Sequence, residues 1–111
     1  MALYRASTPY NLGFLTGVYT GDNQRDREIL TGFRPTAVLV FHNGCQTYDF
    51  DTGEQRDLIF GGLGLFGESQ NVGIDITSRG FQVHWYVPAI NLAPVPQTNI
   101  QNFRYSFIAW R

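Results

Sequence analysis

Extended segments dominate this sequence, and they limit the folds it can adopt more than any other feature does. Residues 29–41, 74–86 and 105–111 are rich in β-branched and aromatic side chains. Such residues favour strands, and no stretch of helical length repeats its apolar residues with the 3.6-residue period of an amphipathic helix. Turn residues divide the chain into about seven or eight short strands, which predicts an all-β protein, either a β-sandwich or a β-barrel.

The length and composition indicate one soluble domain. A chain of 111 residues is long enough for one hydrophobic core but not for two, so we expect a single domain over 1–111, with residues 1–12 as an extended N-terminal arm. Hydrophobic residues make up 43% of the chain, which is enough to build that core. No signal peptide opens the chain, and no apolar run approaches the ~18 residues of a membrane span. We therefore expect an unexported cytoplasmic product without a membrane partner.

The charge balance argues against nucleic acid as a partner. Eight basic and nine acidic residues give a formal charge of −1, so the chain lacks the basic footprint of a nucleic-acid binder. All eight basic residues are arginines, which suits stacked or bidentate contacts at interfaces but fits a compositional bias equally well. Cys45 is the only cysteine, which excludes a disulfide within the chain.

Glycine, asparagine and proline mark the expected connections between strands. The Gly-Asp-Asn sequence at 21–23 predicts a hairpin turn before a strand at 27–30, and Ser-Arg at 78–79 predicts a second hairpin. Three glycines within 61–64 predict a twisted or bulged strand that another backbone approaches closely. The amide- and proline-rich segment 91–102 predicts an irregular crossing loop.

Two strands, at 37–42 and 103–111, carry apolar residues on both of their faces. A sandwich has only one interior, so the second apolar face must be covered, either by a long loop of the same chain or by another chain. We favour another chain. The residues that we expect at this interface are Val38, Val40, Ile108 and Trp110.

The strand at 80–87 alternates more clearly, because Phe81, Val83 and Trp85 fall on one face while Gln82, His84 and Tyr86 fall on the other. This pattern predicts one buried and one wet face. His84 and Tyr86 would then offer outward aromatic rings with polar tips, which sugars use as contact surfaces.

The polar segment 43–57 is long for a connection in a small domain, so we expect it to form a contact surface for a partner or ligand. Its acidic residues suit either a solvated loop or a loose calcium site built from Asp49, Asp51, Glu54 or Asp57. The residues that we expect to bind a ligand are Tyr48, Asp49, Asp51, His84 and Tyr86.

Several motifs resemble cofactor or catalytic sites, but their surroundings do not support that chemistry. Residues 62–67 fit the pattern G-x-G-x-x-G, yet no βαβ unit surrounds them. His42, Cys45 and His84 are suitable zinc ligands, although a tetrahedral site would need a fourth group. Neither Cys45 with a histidine nor Ser69 with His84 lies on a strand-turn-helix elbow. We therefore expect no catalytic centre, no cofactor and no metal.

Four segments together resemble a known family. These segments are 32–40 (GFRPTAVLV), 61–63 (GGL), 74–83 (IDITSRGFQV) and 105–110 (YSFIAW). Their order resembles a small β-domain found in bacteriophage and prophage tail or virion structural proteins, and their spacing is similar to that of H-type lectin domains. The resemblance covers residues 14–111.

The resemblance implies an H-type-lectin-like antiparallel β-sandwich of six to eight strands, which assembles through its strand faces as a trimer or a multiple of three. The expected function is that of a virion structural protein, such as a tail, fibre or capsid-decorating subunit, whose partners are its own copies and other virion proteins. The alternative is a carbohydrate-binding module that recognises a host glycan. Either function implies assembly in the host cytoplasm and residence in the virion.

Overall fold

A computed structural model describes residues 13–52, 56–68, 73–86 and 95–111. The predicted arm at 1–12 lies outside the described residues, as do Glu54, Ser69 and Val87. Within the described ranges the protein is all-β and contains no helix, which confirms the predicted class.

Ten strands make up the described part of the chain. They are β1 (Phe14–Thr20), β2 (Asp26–Leu30), β3 (Ala37–His42), β4 (Tyr48–Asp51), β5 (Arg56–Ile59), β6 (Gly62–Leu65), β7 (Ile74–Ile76), β8 (Gly80–His84), β9 (Val95–Pro96) and β10 (Arg104–Trp110). The number exceeds the expected six to eight, because the segment between β3 and β6 adds a hairpin and the 91–102 segment contributes the two-residue β9.

The strands form three sheets. The first sheet has the order β1-β10-β3-β6, the second has the order β2-β8-β7, and the third has the order β4-β5-β9. All pairings are antiparallel except the short contact between β5 and β9. The first and second sheets pack face to face as a β-sandwich.

The hydrophobic core lies between these two sheets. The first sheet contributes Tyr19, Val38, Val40, Tyr105, Phe107 and Ala109, and the second contributes Ile74, Phe81 and Val83. Aromatic rings hold the layers together at their centre, where Phe81 of the second sheet meets the edge of the Phe107 ring at 5.0 Å between centroids.

The two predicted hairpins have different outcomes. The connection at 78–79 joins β7 to β8 in one sheet, with Ile76 opposite Phe81, which confirms the second hairpin. The turn at 21–23 does not form a hairpin, because β1 lies in the first sheet and β2 in the second. Asn23 has the positive φ of 62° that a turn of this composition favours, but the turn carries the chain across the sandwich.

The glycine-rich strand β6 is closely approached, as predicted. Gly64 is buried, and a Cβ atom placed on it would lie 2.6 Å from Cγ2 of Ile74 in the opposite sheet. A side chain at this position would push the two sheets apart, so glycine sets their spacing here.

The expected interface residues Val38 and Val40 point the opposite way from the prediction. Both are fully buried in the core of the sandwich, at 0% exposure. They pair with Gly64 and Gly62 on β6, and Gly64, opposite Val38, leaves room for Ile74 to pack between the sheets. Apolar alternation showed that β3 has two apolar faces but not which one is inside.

A buried polar segment follows β9, where the sequence predicted an irregular crossing loop. Gln97, Thr98 and Asn99 have exposed fractions of 5%, 0% and 0%. The Tyr19 hydroxyl donates to the Thr98 carbonyl at 2.6 Å, and the Tyr105 hydroxyl donates to the Gln97 carbonyl at 2.9 Å. The segment is therefore part of the interior and not a surface loop.

Candidate functional site

The face of the first sheet that points away from the core is apolar, and we call it the outer face. Its residues are Phe14, Thr16 and Val18 on β1, Ser106, Ile108 and Trp110 on β10, Ala37, Leu39 and Phe41 on β3, and Leu63 and Leu65 on β6. None of these side chains carries a charge. At the end of β1 and β10 the face continues with two exposed polar residues, Thr20 and Arg104.

Much of this apolar surface is open to solvent. Val18 and Leu63 are each 50% exposed, and Phe14, Phe41 and Leu65 are exposed to a similar degree. Four strands at a spacing of ~4.8 Å, with about six residues each, give the outer face an area on the order of 400 Å². Contiguous apolar patches of this size on soluble proteins often mark binding surfaces.

A groove crosses the outer face at Ser106. It has a volume of about 390 Å³, and Val18 and Phe41 form its walls. The groove exists because the small Ser106 stands between these two larger residues on the neighbouring strands. The Ser106 hydroxyl donates to Oδ1 of Asn43 at 2.8 Å, so its polar atom is already paired. The groove suits an apolar side chain of a binding partner.

Of the predicted interface residues, Ile108 and Trp110 lie on the outer face and are half-buried, whereas Val38 and Val40 do not belong to it. Sequence reasoning missed the leucines of β6. Their signal is the Gly-Leu-Gly-Leu alternation at 62–65, in which Gly64 is buried against Ile74 while both leucines are exposed.

The structure corrects the prediction that His84 is an outward ligand-binding residue. Its side chain is only 8% exposed. Nδ1 lies 2.6 Å from Oδ1 of Asp26 on β2, and Nε2 lies 2.7 Å from Oδ2 of Asp75 on β7. Because β8 is the central strand of its sheet, both neighbouring strands supply a carboxylate to the ring.

This Asp26–His84–Asp75 cluster ties together the three strands of the second sheet. A neutral imidazole has one N–H, so only the imidazolium can donate to both carboxylates at once. Both carboxylates are about half exposed, so each contact contributes at most about 1 kcal/mol. With both ring nitrogens engaged, His84 has no polar atom left for a sugar, and the cluster is best explained as a structural contact.

The other predicted ligand-binding residues lie on two separate segments. Tyr48, Asp49 and Asp51 belong to β4, and Tyr86 follows β8. The guanidinium of Arg25 covers the Tyr86 ring at 4.7 Å from its centroid. The structure therefore does not join these residues and His84 into one exposed site.

The acidic residues of the β4–β5 hairpin do not converge. Asp57 pairs with Phe50 and accepts a hydrogen bond from the Tyr48 hydroxyl at 2.8 Å, which raises the pKa of Tyr48. Asp49 and Asp51 alternate with Tyr48 and Phe50 along β4 and so point to the other face. No group of three His, Cys, Asp or Glu residues placed to hold a metal ion occurs in the described ranges.

The residues considered for zinc are also separated. His42 ends β3 in the first sheet, among the rings of Phe60, Phe103 and Tyr105, whereas His84 lies in the second sheet. Loss of hydration lowers the pKa of His42. Burial, with a smaller contribution from Asp49, raises the pKa of the Cys45 thiol. A raised pKa disfavours the thiolate that metal binding or nucleophilic attack would require.

Comparison with known proteins adds no relative. No family model, curated protein or solved structure matches the chain. Among the described residues, no helix has the length and apolar character to cross a membrane.

Proposed function

We propose that this protein is a structural subunit of a bacteriophage virion, such as a tail, fibre or capsid-decorating component, which acts by binding its own copies and other virion proteins. The observation that carries the proposal is the largely exposed, apolar outer face of the first sheet. The phage setting rests on the sequence resemblance described above, which also implies a trimer or a multiple of three.

The chemistry of the outer face suits another copy of the same chain. Burial of its half-exposed side chains would remove apolar area from water, which favours association by about 25 cal/mol per Å² before the entropic costs of binding. The apolar residues of this face carry no charge that would require a complementary charge or repel an identical surface, and the exposed Arg104 lies at one end of β10, outside them.

Replacement of Leu63 by Asp tests the proposal. Leu63 is half exposed on an edge strand, so the protomer should tolerate a carboxylate there. In an assembled interface the same carboxylate would be buried without a partner, which should weaken association by about 3 kcal/mol or more. Sedimentation velocity should show an oligomer for the unmodified protein and a folded monomer for Leu63→Asp.

Leu30→Asp is the matched control, since Leu30 is a leucine with 61% exposure on β2 of the other sheet. This variant should keep the mass of the unmodified protein. A Leu63→Asp variant that assembles as well as Leu30→Asp would show that the outer face is not the binding surface.

Glycan binding is a second candidate. It is favoured by Tyr48 and Phe50, which are 50% and 45% exposed on one face of β4, with the Tyr48 hydroxyl held by Asp57. Two exposed rings beside a carboxylate offer an apolar surface with a polar edge, which suits a sugar ring. Glycan-array binding that is lost in Tyr48→Ala and kept in Leu63→Asp would support this function.

A further inference from the structure

Within the described ranges, no strand pairs with the outer edge of β1 in the first sheet. In the order β1-β10-β3-β6, β1 has β10 on one side and no described strand on the other. Backbone groups on such an edge remain available for pairing with a further strand.

The hydrogen-bond pattern identifies which backbone groups face this edge. The N–H of Arg111 donates to the carbonyl of Gly13 at 2.9 Å, and the N–H of Gly21 donates to the carbonyl of Phe103 at 2.8 Å. Hydrogen-bonded and non-hydrogen-bonded pairs alternate along an antiparallel ladder, so odd-numbered residues of β1 direct their backbone groups toward β10. Even-numbered residues direct theirs toward the open edge.

Three even-numbered residues, Phe14, Thr16 and Val18, therefore present an N–H and a C=O outward, and no described residue is bonded to these groups. The carbonyl of Thr20 differs, because it accepts a hydrogen bond from Arg27 at 2.6 Å. The open stretch of the edge is thus centred on Thr16.

β1 lacks the features by which proteins protect edge strands. Its seven residues, FLTGVYT, contain no charge and no proline, and its pairing with β10 runs through all seven residues without a bulge. The edge strands β2, β4 and β7 each carry acidic residues, β6 has four residues, and β9 has only two. β1 is the long, uncharged edge in the described part of the molecule.

We propose that β1 pairs antiparallel with β1 of a second copy, about a two-fold axis that places Thr16 opposite Thr16. This inference rests on the proposed self-assembly and specifies its geometry. Phe14 of each copy then lies opposite Val18 of the other. The backbone groups of these three residues on each strand pair with those on the second strand and form about six hydrogen bonds. The two four-stranded sheets join into one continuous sheet.

We infer a second copy as the binding partner because β1 can pair with itself in this register. In a two-fold antiparallel pairing, each residue whose backbone groups face the edge must lie opposite another such residue. With Thr16 on the axis this condition is met, because Phe14 and Val18 lie at equal distances on either side of it. Phe14 opposite Val18 is a favourable pair of an aromatic with a β-branched residue, and no like charges meet across the axis. The same pairing brings the two outer faces side by side on one surface.

The two-fold axis restricts the number of copies. Edge pairing alone buries less than the ~800 Å² per partner of a standard stable interface, so it acts together with the outer face. If the outer face assembles three copies, as the sequence resemblance implies, the added two-fold contacts give six. The oligomer of the unmodified protein should therefore contain an even number of subunits.

Thr16→Pro tests the edge directly. Proline removes the outward N–H of Thr16 without removing a bond to β10, and edge strands tolerate proline at such positions. The oligomer mass should fall by half. Thr16→Ala changes the same outer-face side chain but keeps the N–H, so it separates the loss of the side chain from the loss of the N–H: only Thr16→Pro should halve the mass. Far-UV circular dichroism would verify that both variants are folded, and an unchanged mass in folded Thr16→Pro would overturn the proposal.

Cysteine cross-linking tests the register without a disruptive substitution. In a Cys45→Ser background, Thr16→Cys places two Cα atoms ~5.5 Å apart across the axis, which a disulfide can span. Thr20→Cys, on the same strand and face, places them ~26 Å apart. Mild oxidation should cross-link only the first variant. Failure of the Thr16→Cys variant to cross-link, or equal cross-linking of both variants, would overturn the register.

These outcomes separate the edge from the outer face. A trimer that dissociates in Leu63→Asp but not in Thr16→Pro would overturn the edge pairing and leave the proposed function standing. An oligomer that loses half its mass in Thr16→Pro but is unchanged in Leu63→Asp would support the β1 pairing and reject the outer face as the binding surface. Slow hydrogen exchange at the Thr16 amide in a monomeric chain would mean that residues 1–12 of the same chain cover the edge, which also overturns the proposal.

Discussion

Thr98 is the residue on which most of the buried polar contacts converge. Its hydroxyl accepts a hydrogen bond from the His84 N–H at 2.9 Å and donates to the Gly73 carbonyl at 2.7 Å, while its own carbonyl accepts from the Tyr19 hydroxyl at 2.6 Å. The side chain is completely buried. One hydroxyl thus satisfies backbone groups of two other segments inside the molecule.

Replacement of Thr98 by Val should destabilise the fold by about 1–3 kcal/mol, because valine has the shape of threonine but leaves the His84 N–H and the Gly73 carbonyl unpaired. Urea denaturation measures this change. Thr20→Val, at an exposed threonine on β1, should change the free energy of unfolding by less than about 0.5 kcal/mol. Equal stabilities for the two variants would contradict this account of the buried segment.

At the residue scale, alternation along a strand separated its two faces but did not decide which face lies inside. Alternation placed Ile108 and Trp110 outward correctly. It failed for Val40, which lies on a strand with two apolar faces, and for His84, whose carboxylate partners come from two other strands. Thr98 gave no local signal, because a buried polar loop and an exposed one have the same composition.

The β4–β5 hairpin is an element that the core does not require. None of its described residues belongs to the core cluster, and the hairpin joins the rest of the fold through β5, where Leu58 and Ile59 pair with Val95 and Pro96. This arrangement agrees with a segment that presents side chains to a partner or ligand.

Replacement of residues 50–57 by Asn-Gly should spare the fold. Asp49 and Leu58 lie opposite each other, so a two-residue turn can join them directly. We expect a single cooperative melt and a change in unfolding free energy of about 1 kcal/mol or less, since loop length has a weak effect on stability. Differential scanning calorimetry would reveal the opposite result, a loss of the cooperative transition, if the hairpin were part of the core.

Turn-forming residues predicted where strands end better than they predicted which sheet the next strand joins. Residues 21–23 and 78–79 both separate two strands, but only the second segment joins neighbouring strands of one sheet. The destination of the first depends on contacts far away in sequence, such as the bond from the Gly21 N–H to the Phe103 carbonyl. Local residue preferences carry no information about such contacts.

At the scale of the whole molecule, two buried tyrosines link stability to alkaline pH. Burial raises the pKa of Tyr105 to about 12. Burial, reinforced by the neighbouring Tyr105, raises the pKa of Tyr19 far above its usual value. The folded state therefore retains these protons at a pH where an unfolded tyrosine, with a pKa near 10, has lost them.

The free energy of unfolding should be insensitive to these groups below about pH 10 and should fall from about pH 10 to 12, by roughly 1.4 kcal/mol per pH unit for each tyrosine. Urea midpoints measured at pH 9, 10 and 11 would show the decline. Tyr19→Phe should have the shallower slope, because it has one fewer group to titrate. A stability that stays constant up to about pH 11.5 would contradict the burial of these hydroxyls.

The position of β10 in the first sheet also governs how quickly the protein can fold. β10 stands between β1 and β3, and its register joins Trp110 to Phe14 on one side and to Ala37 on the other. Such distant pairings require large loops to close before any contact is gained, and proteins built from them fold in milliseconds to seconds. During that interval β1 and β3 lack their common neighbour and expose both apolar faces. The yield of folded protein therefore depends partly on whether β10 pairs before incompletely folded chains associate with one another.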